Sequence, residues 1–176
     1  AGQALSVRDF GAPATTGLQS LPYRERFDAN KVYSFSSPTA DPWFMARILR
    51  SGNSAAVWEF PIDLPQRSVD SRGERLALEL WGGLDYPEDN DHSVIVRLNG
   101  VELGRRRFDG VTALSLSYAI PTGLLRTGDN TLSLELPADT GQGADLVNVE
   151  AIDVHYSREL LLSQNQLAVT LPDLSG

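Results

Sequence analysis

Apolar and polar residues alternate with a period of two through most of the chain, in short runs separated by turn residues, the pattern of strands buried on one face. Trp58, Phe60, Ile62 and Leu64 share one side of a run, and Leu76, Leu78 and Leu80 share one side of the next. His92, Val94, Val96 and Leu98 then alternate, and Asn99-Gly100 joins them to Val101 and Leu103. Asn and Gly tolerate the positive φ of a two-residue turn, so this pair predicts a β-hairpin. Leu114, Leu116, Tyr118 and Ile120 form a run that stops at Pro121. Gly128-Asp129-Asn130 turns the chain into Leu132, Leu134 and Leu136, ended by Pro137, and a Gly-rich segment at 141–143 leads into the run from Leu146 to Tyr156.

Six or more such strands without helices between them predict an all-β chain folded as a two-layer antiparallel β-sandwich. At most one short helix is expected, over Pro42 to Leu49, where Asp41 fits the N-cap and Pro42 the first helical position. Residues 1–30 carry turn formers and charges with little periodicity and read as a linker or edge segment. The sandwich is expected over 31–157. Residues 158–176, with Leu160 to Leu162 and the run Leu167, Val169 and Leu171, read as a C-terminal extension, either an edge strand or the start of a next domain.

A length of 176 residues suits one core. The net charge of −8, from 15 Lys+Arg against 23 Asp+Glu, lacks the footprint of a nucleic-acid or anionic-membrane binder. No apolar run approaches the ~20 residues that span a bilayer. Cysteine is absent, which excludes thiol catalysis, disulfides, zinc–thiolate sites and iron–sulfur clusters. The only methionine is Met45, so the chain is expected to be a processed product or a piece of something longer. Of the two histidines, His92 shares the parity of Val94 and Val96, and His155 lies inside the last run; each is expected as a surface or satisfied sheet histidine. No Gly-x-Ser-x-Gly elbow and no phosphate-cradling loop occurs, and no carboxylate pair is singled out, so the chain is expected to be non-catalytic.

The loop Asp85-Tyr86-Pro87-Glu88-Asp89-Asn90-Asp91 gathers four carboxylates and an amide. Oxygen ligands of this kind suit Ca²⁺, making Asp85, Glu88, Asp89 and Asp91 candidate metal ligands, although their spacing is not that of an EF-hand and an ordinary acidic surface loop is the alternative. Trp81 stands on the opposite parity from Leu76, Leu78 and Leu80. With Asp85, Tyr86 and Asn90 it is a candidate sugar platform, since rings stack on aromatic faces while carboxylates and amides take hydroxyl protons. A Trp closing one edge of the sandwich is the plainer alternative. Arg105-Arg106-Arg107 is expected to guard a strand edge or pair with acids rather than bind nucleic acid.

The order Val94-Ile95-Val96-Arg97-Leu98-Asn99-Gly100, Leu103-Gly104, Phe108-Asp109-Gly110, Ile120-Pro121-Thr122-Gly123-Leu124-Leu125 and Gly128-Asp129-Asn130-Thr131-Leu132 resembles the jelly-roll sandwich of galactose-binding-like modules. Val32-Tyr33-Ser34-Phe35, Asp41-Pro42-Trp43-Phe44 and the segment from Val149 to Arg158 resemble the β-sandwich region that precedes the catalytic domain of secreted gingipain-like cysteine peptidases of bacteria. Ser157 and Ala151 depart from that region's usual proline and aromatic. The resemblance implies a jelly-roll topology, a secreted or cell-surface location and a neighbouring domain of the same polypeptide as partner. The family's catalytic Cys and His have no counterpart here. The expected function is a non-catalytic structural or interaction module; carbohydrate binding through the aromatic and acidic loop is the alternative, with calcium the one cofactor in view.

Overall fold

The computed structural model describes residues 20–34, 41–159, 162–163 and 166–167. Its strands are β1 (Ser20–Asp28), β2 (Val32–Tyr33), β3 (Trp43–Phe44), β4 (Ala46–Ser51), β5 (Ala56–Leu64), β6 (Arg75–Gly82), β7 (His92–Leu98), β8 (Val101–Phe108), β9 (Ala113–Ala119), β10 (Gly128–Leu136), β11 (Ala144–Glu159), β12 (Leu162–Ser163) and β13 (Gln166–Leu167). One sheet runs β1-β11-β6-β9, with β4 also on β11; the other runs β5-β10-β7-β8. β2 pairs with β3 and β12 with β13 as small ribbons, and every pairing is antiparallel. The two sheets form a jelly-roll sandwich. Of the expected C-terminal run, Leu167 lies in β13, while Val169 and Leu171 fall outside the described residues.

The alternation in the sequence becomes the core. Phe60, Ile62, Leu64, Leu76, Leu78, Leu80, Val94, Val96, Leu98, Leu132, Leu134 and Leu136 are all buried between the sheets. Trp58 has the inward parity but stands near the start of β5 and is 48% exposed, so it contributes little to this core. β11 serves two partners on one edge: Ala144 to Val149 pairs with β4, and Ala151 to Glu159 pairs with β1. A bulge at Glu150 separates the two halves along β6. The extra residue shifts the inward set from Val147 and Val149 to Ile152, Val154 and Tyr156, so the apolar face stays continuous although the numbering parity changes.

Residues 42–49 form strands rather than the expected helix. Asp41 does cap the segment, accepting the Trp43 N–H at 3.0 Å, but β4 follows and lies along β11 with Ala46, Ile48 and Arg50 turned inward. Tertiary pairing along a free strand edge overrides a local capping signal. Arg105 and Arg107 sit on β8, an edge strand, and both pair with Asp139, as charge on an edge should.

The two turn motifs lock to each other. Asn99 and Gly100 adopt φ values of 50° and 82°, the positive φ that the hairpin requires. The Asn99 amide donates to Leu124 O at 2.8 Å and to Asn130 Oδ1 at 2.9 Å, and its Oδ1 accepts the Thr131 N–H. Buried Asn130 accepts the Arg126 N–H and donates to the Arg126 and Gly128 carbonyls, so its amide is fully used. Asn130→Ala leaves several of these groups unpaired at about 1–3 kcal/mol each. Urea unfolding is expected to show a loss of about 2–4 kcal/mol for it, against less than about 0.5 kcal/mol for the exposed neighbour Asp129→Ala.

Candidate functional site

Four connections that pass between the sheets gather at one end of the sandwich: 52–55, 83–91, 109–112 and 137–143. The expected site residues Asp85, Tyr86, Glu88, Asp89, Asn90 and Asp91 all lie in the second of them. Trp81 lies on the outer face of the first sheet, half-buried, in register with Ala113 and Asn148.

Asp91 organises this loop. It is fully buried, and its Oδ2 accepts the Tyr86 N–H at 3.1 Å and the Gly110 N–H at 3.2 Å. Its Oδ1 is buried without a partner among the described residues. Asp85 packs against the same Gly110. Asn90 takes φ 66° and donates its N–H to Asp109 Oδ1 at 2.7 Å, which ties the loop to the β8–β9 connection. Asp85, Tyr86 and Asn90 are thus brought together around Asp91 and the 109–110 turn. Glu88 faces the other way and accepts from Gln142 Nε2 at 3.2 Å, while Asp89 is exposed.

Beneath the loop His92 is completely buried. Its Nδ1 donates to Asp145 Oδ1 at 2.6 Å and its Nε2 to Leu84 O at 3.1 Å. Asp145, also fully buried, accepts the Ser93 N–H with its other oxygen at 3.1 Å, and so joins β11 to β7 across the sandwich. The ring rests on Phe108, 4.6 Å between centroids, and reaches its place because residue 82 is a glycine: a Cβ there would strike Gly110 O and the imidazole. Both ring partners are acceptors, an arrangement that favours the doubly protonated ring. Burial works against that charge, but the hydrogen bond and charge of Asp145, with smaller help from the Leu84 carbonyl and Asp91, hold the His92 pKa above its ordinary 6.5.

Arg50 closes the opposite side of the end. Its guanidinium is buried and donates to Gly52 O at 2.6 Å and Gln142 O at 2.9 Å, pinning the 137–143 loop. Asp145 and Arg50 were not singled out in the sequence, yet each carried a signal. Asp145 shares the parity of Val147 and Val149, and Arg50 that of Ile48; a charged residue at an inward position must find a buried partner. The geometry makes this end a polar frame that fixes loops, with the His92 ring already bonded at both nitrogens and shut off from solvent.

Comparison with solved structures finds this fold inside a longer chain. Dimeric latent PorU from Porphyromonas gingivalis matches with a TM-score of 0.54 and 15% identity, over 85% of this chain and 14% of that one. This chain and a segment of PorU therefore share the β-sandwich fold. This chain spans 14% of the PorU length. The CBM36-1 domain of a multidomain xylanase from the hindgut metagenome of Trinervitermes trinervoides matches with a TM-score of 0.43 and 14% identity, over 76% of this chain and 96% of that one. A carbohydrate-binding module CBM36 in complex with calcium and xylotriose matches with a TM-score of 0.44 and 16% identity, over 74% and 98%. No family model and no curated protein matches the chain. Similarity at these identities carries the fold alone.

A histidine whose folded pKa lies above 6.5 stabilises the fold fully below that pH, and the contribution disappears as pH rises through the folded value. Stability by urea unfolding is therefore expected to fall as pH is raised from about 6 upward through the His92 transition. In Asp145→Asn this slope flattens and the whole curve drops by about 3–5 kcal/mol, the cost of breaking a buried pair. An unchanged slope in that variant would place the pH dependence elsewhere.

Proposed function

We propose that the chain is a non-catalytic β-sandwich module of a larger secreted or cell-surface bacterial peptidase-like protein, acting as a structural and interaction domain beside a neighbouring domain of the same polypeptide. The observation that carries this reading is the fate of the histidine–carboxylate pair at the loop end. His92 and Asp145 have the composition of a catalytic dyad, but both are fully buried and both ring nitrogens are engaged, so the imidazole has no path to a substrate. The other histidine, His155, stands on the outer sheet face with Arg75 and Arg24 near it. Burial and these cations lower its pKa, and no hydroxyl nucleophile is bonded to it among the described residues. The likeness to a 14% segment of PorU supports a module within a longer protein. In this reading the loops at 83–91 and 137–143, tied by the Gln142–Glu88 bond, form the contact surface.

Calcium belongs to this reading at the 85–91 loop. The unpaired, buried Oδ1 of Asp91 suits a cation, and Asp85 beside the same Gly110 supplies a second carboxylate, with Glu88 and Asp89 at the rim. Among the described residues no group of three or more His, Cys, Asp or Glu side chains forms a metal cluster, so backbone oxygens and water would complete the shell. A second reading, carbohydrate binding at Trp81, Asp85, Tyr86 and Asn90, is favoured by the convergence of the three loop residues around Asp91, with Trp81 half-exposed on the strand that leads into this loop.

The isolated chain is expected to hydrolyse neither peptide nor glycoside substrates. Turnover that follows the protein through purification would overturn the non-catalytic reading. Millimolar CaCl2 is expected to raise the melting temperature, reversibly with EDTA, through preferential binding to the folded state. The Asp85→Asn variant should lose that shift; an equal shift in the variant would remove Asp85 from the metal's ligands.

A further inference from the structure

At the end of the sandwich opposite the four gathered loops, a cleft of about 210 Å³ opens between the edge strands β1 and β5. It is lined by Tyr23, Glu25, Asp63, Pro65, Gln66, Tyr156 and Arg158. The excursion from β5 to β6 builds its rim by folding back along the end of β11. Ser68 N donates to Ser157 O and Glu159 N to Gln66 O, both at 2.8 Å, and the buried Arg67–Glu74 pair anchors the excursion. Gln66 is held further by the Arg158 Nε, which donates to its Oε1. The site is thus supported by fixed backbone on both sides.

The aromatic wall is ordered too. Tyr23 meets Tyr156 edge to face at 5.7 Å, and the Arg158 guanidinium covers the Tyr23 ring at 4.6 Å. Burial, and then the nearby Glu25 carboxylate, push the Tyr156 hydroxyl up to about 12, so it stays protonated and donates to Glu25 Oε2 at 3.4 Å. The remaining capacity is mixed in sign. Glu25 keeps one oxygen unused and Asp63 both, and neither forms an ion pair among the described residues. Arg158 keeps its terminal N–H groups and Gln66 its amide N–H groups. A cation would satisfy the carboxylates but face Arg158, and an anion would satisfy Arg158 but face two carboxylates. A hydroxyl donates to one and accepts from the other, so a ligand with adjacent hydroxyls satisfies both sets at once. The volume falls below the ~300 Å³ at which drug-sized sites begin, which suits a ligand of about one ring.

We propose that this cleft is a binding site for a single neutral sugar residue, with Glu25 and Asp63 accepting its hydroxyl protons, Arg158 and Gln66 donating to its oxygens, and the edge of Tyr23 against the ring. The site is at the other end of the fold from Trp81 and the 85–91 loop, and stands whether or not the chain is a module of a peptidase-like protein.

Saturation-transfer NMR of the full chain with the methyl glycosides of glucose, galactose, mannose and xylose tests it. A ring of this size is expected to bind with a Kd on the order of 1 mM. At least one of the four glycosides should give a saturable signal. Glu25→Gln and Asp63→Asn should each weaken it about tenfold, the effect of losing a charge-assisted hydrogen bond, while Arg106→Gln, exposed on the far edge strand β8, leaves it intact. Asp63 is exposed and unbonded, so Asp63→Asn reports on the ligand without disturbing the fold. No saturable signal from any of the four would overturn the proposal. So would a signal lost in Trp81→Ala but kept in both carboxylate variants, or methylguanidinium binding more tightly than every sugar, which would mark a cation site.

Discussion

The carboxylate of Asp145 sits between the two sheets without access to solvent, and the loop end of the fold is arranged around satisfying it. A lone buried carboxylate costs several kcal/mol, so one oxygen takes the His92 ring and the other the Ser93 amide. The imidazole then needs space and a second acceptor. Gly82 gives the space, Leu84 O accepts from Nε2, and Phe108 covers the ring. Because Asp145 opens β11 and His92 opens β7, the pair fixes how the last strand enters the first sheet relative to the second. The loops above inherit that geometry through Asp91, Asn90 and Gln142.

Strand β11 carries this order through the rest of the first sheet. Its inward residues form an unbroken apolar stripe only because the bulge at Glu150 absorbs one residue between Val149 and Ile152. Glu150 lies where β4 gives way to β1 along the edge. Burial there, together with Asp41, Glu79 and Asp28, raises its pKa, with Arg26 opposing. On the outer face nearby, Asp153 takes Arg24 at 2.7 Å and Arg26 at 2.9 Å, and Arg26 reaches on to Glu79, so β1 is tied to the sheet by charge as well as by its ladder.

Much of this was legible in the sequence. The period-two runs mark β5 to β11, and Asn99-Gly100 and Gly128-Asp129-Asn130 mark two turns. Their side chains prove to be bonded to each other, which gives a physical reason for the two motifs to occur together. The shift from Val147 and Val149 to Ile152, Val154 and Tyr156 was also present in the sequence, as a change of parity that signals a bulge. Long-range pairing was not legible. Asp41-Pro42 reads as a helix start because capping is local, whereas the strand it begins is stabilised by β11, about a hundred residues later. His92 and Asp145 each show inward parity, but only the sandwich brings them to 2.6 Å. The cleft at Glu25, Asp63 and Arg158 has no local signature either, since its residues come from β1, β5, the excursion after β5 and β11.

Buried, saturated polar groups hold a fold in place, whereas catalytic ones keep an open coordination or hydrogen-bonding position toward a substrate. The His92–Asp145 pair beneath the loops has the first character. Histidine reactivity toward diethyl pyrocarbonate at pH 7 measures the difference directly, because the reagent needs a neutral, accessible imidazole. Burial and its cationic neighbours lower the His155 pKa, and its ring is partly exposed on the sheet face, whereas His92 is buried with its pKa raised. The expected result is modification of His155 alone, with His92 reacting only after denaturation. Modification of His92 in the folded protein at a rate comparable to His155 would contradict a closed structural lock at Asp145.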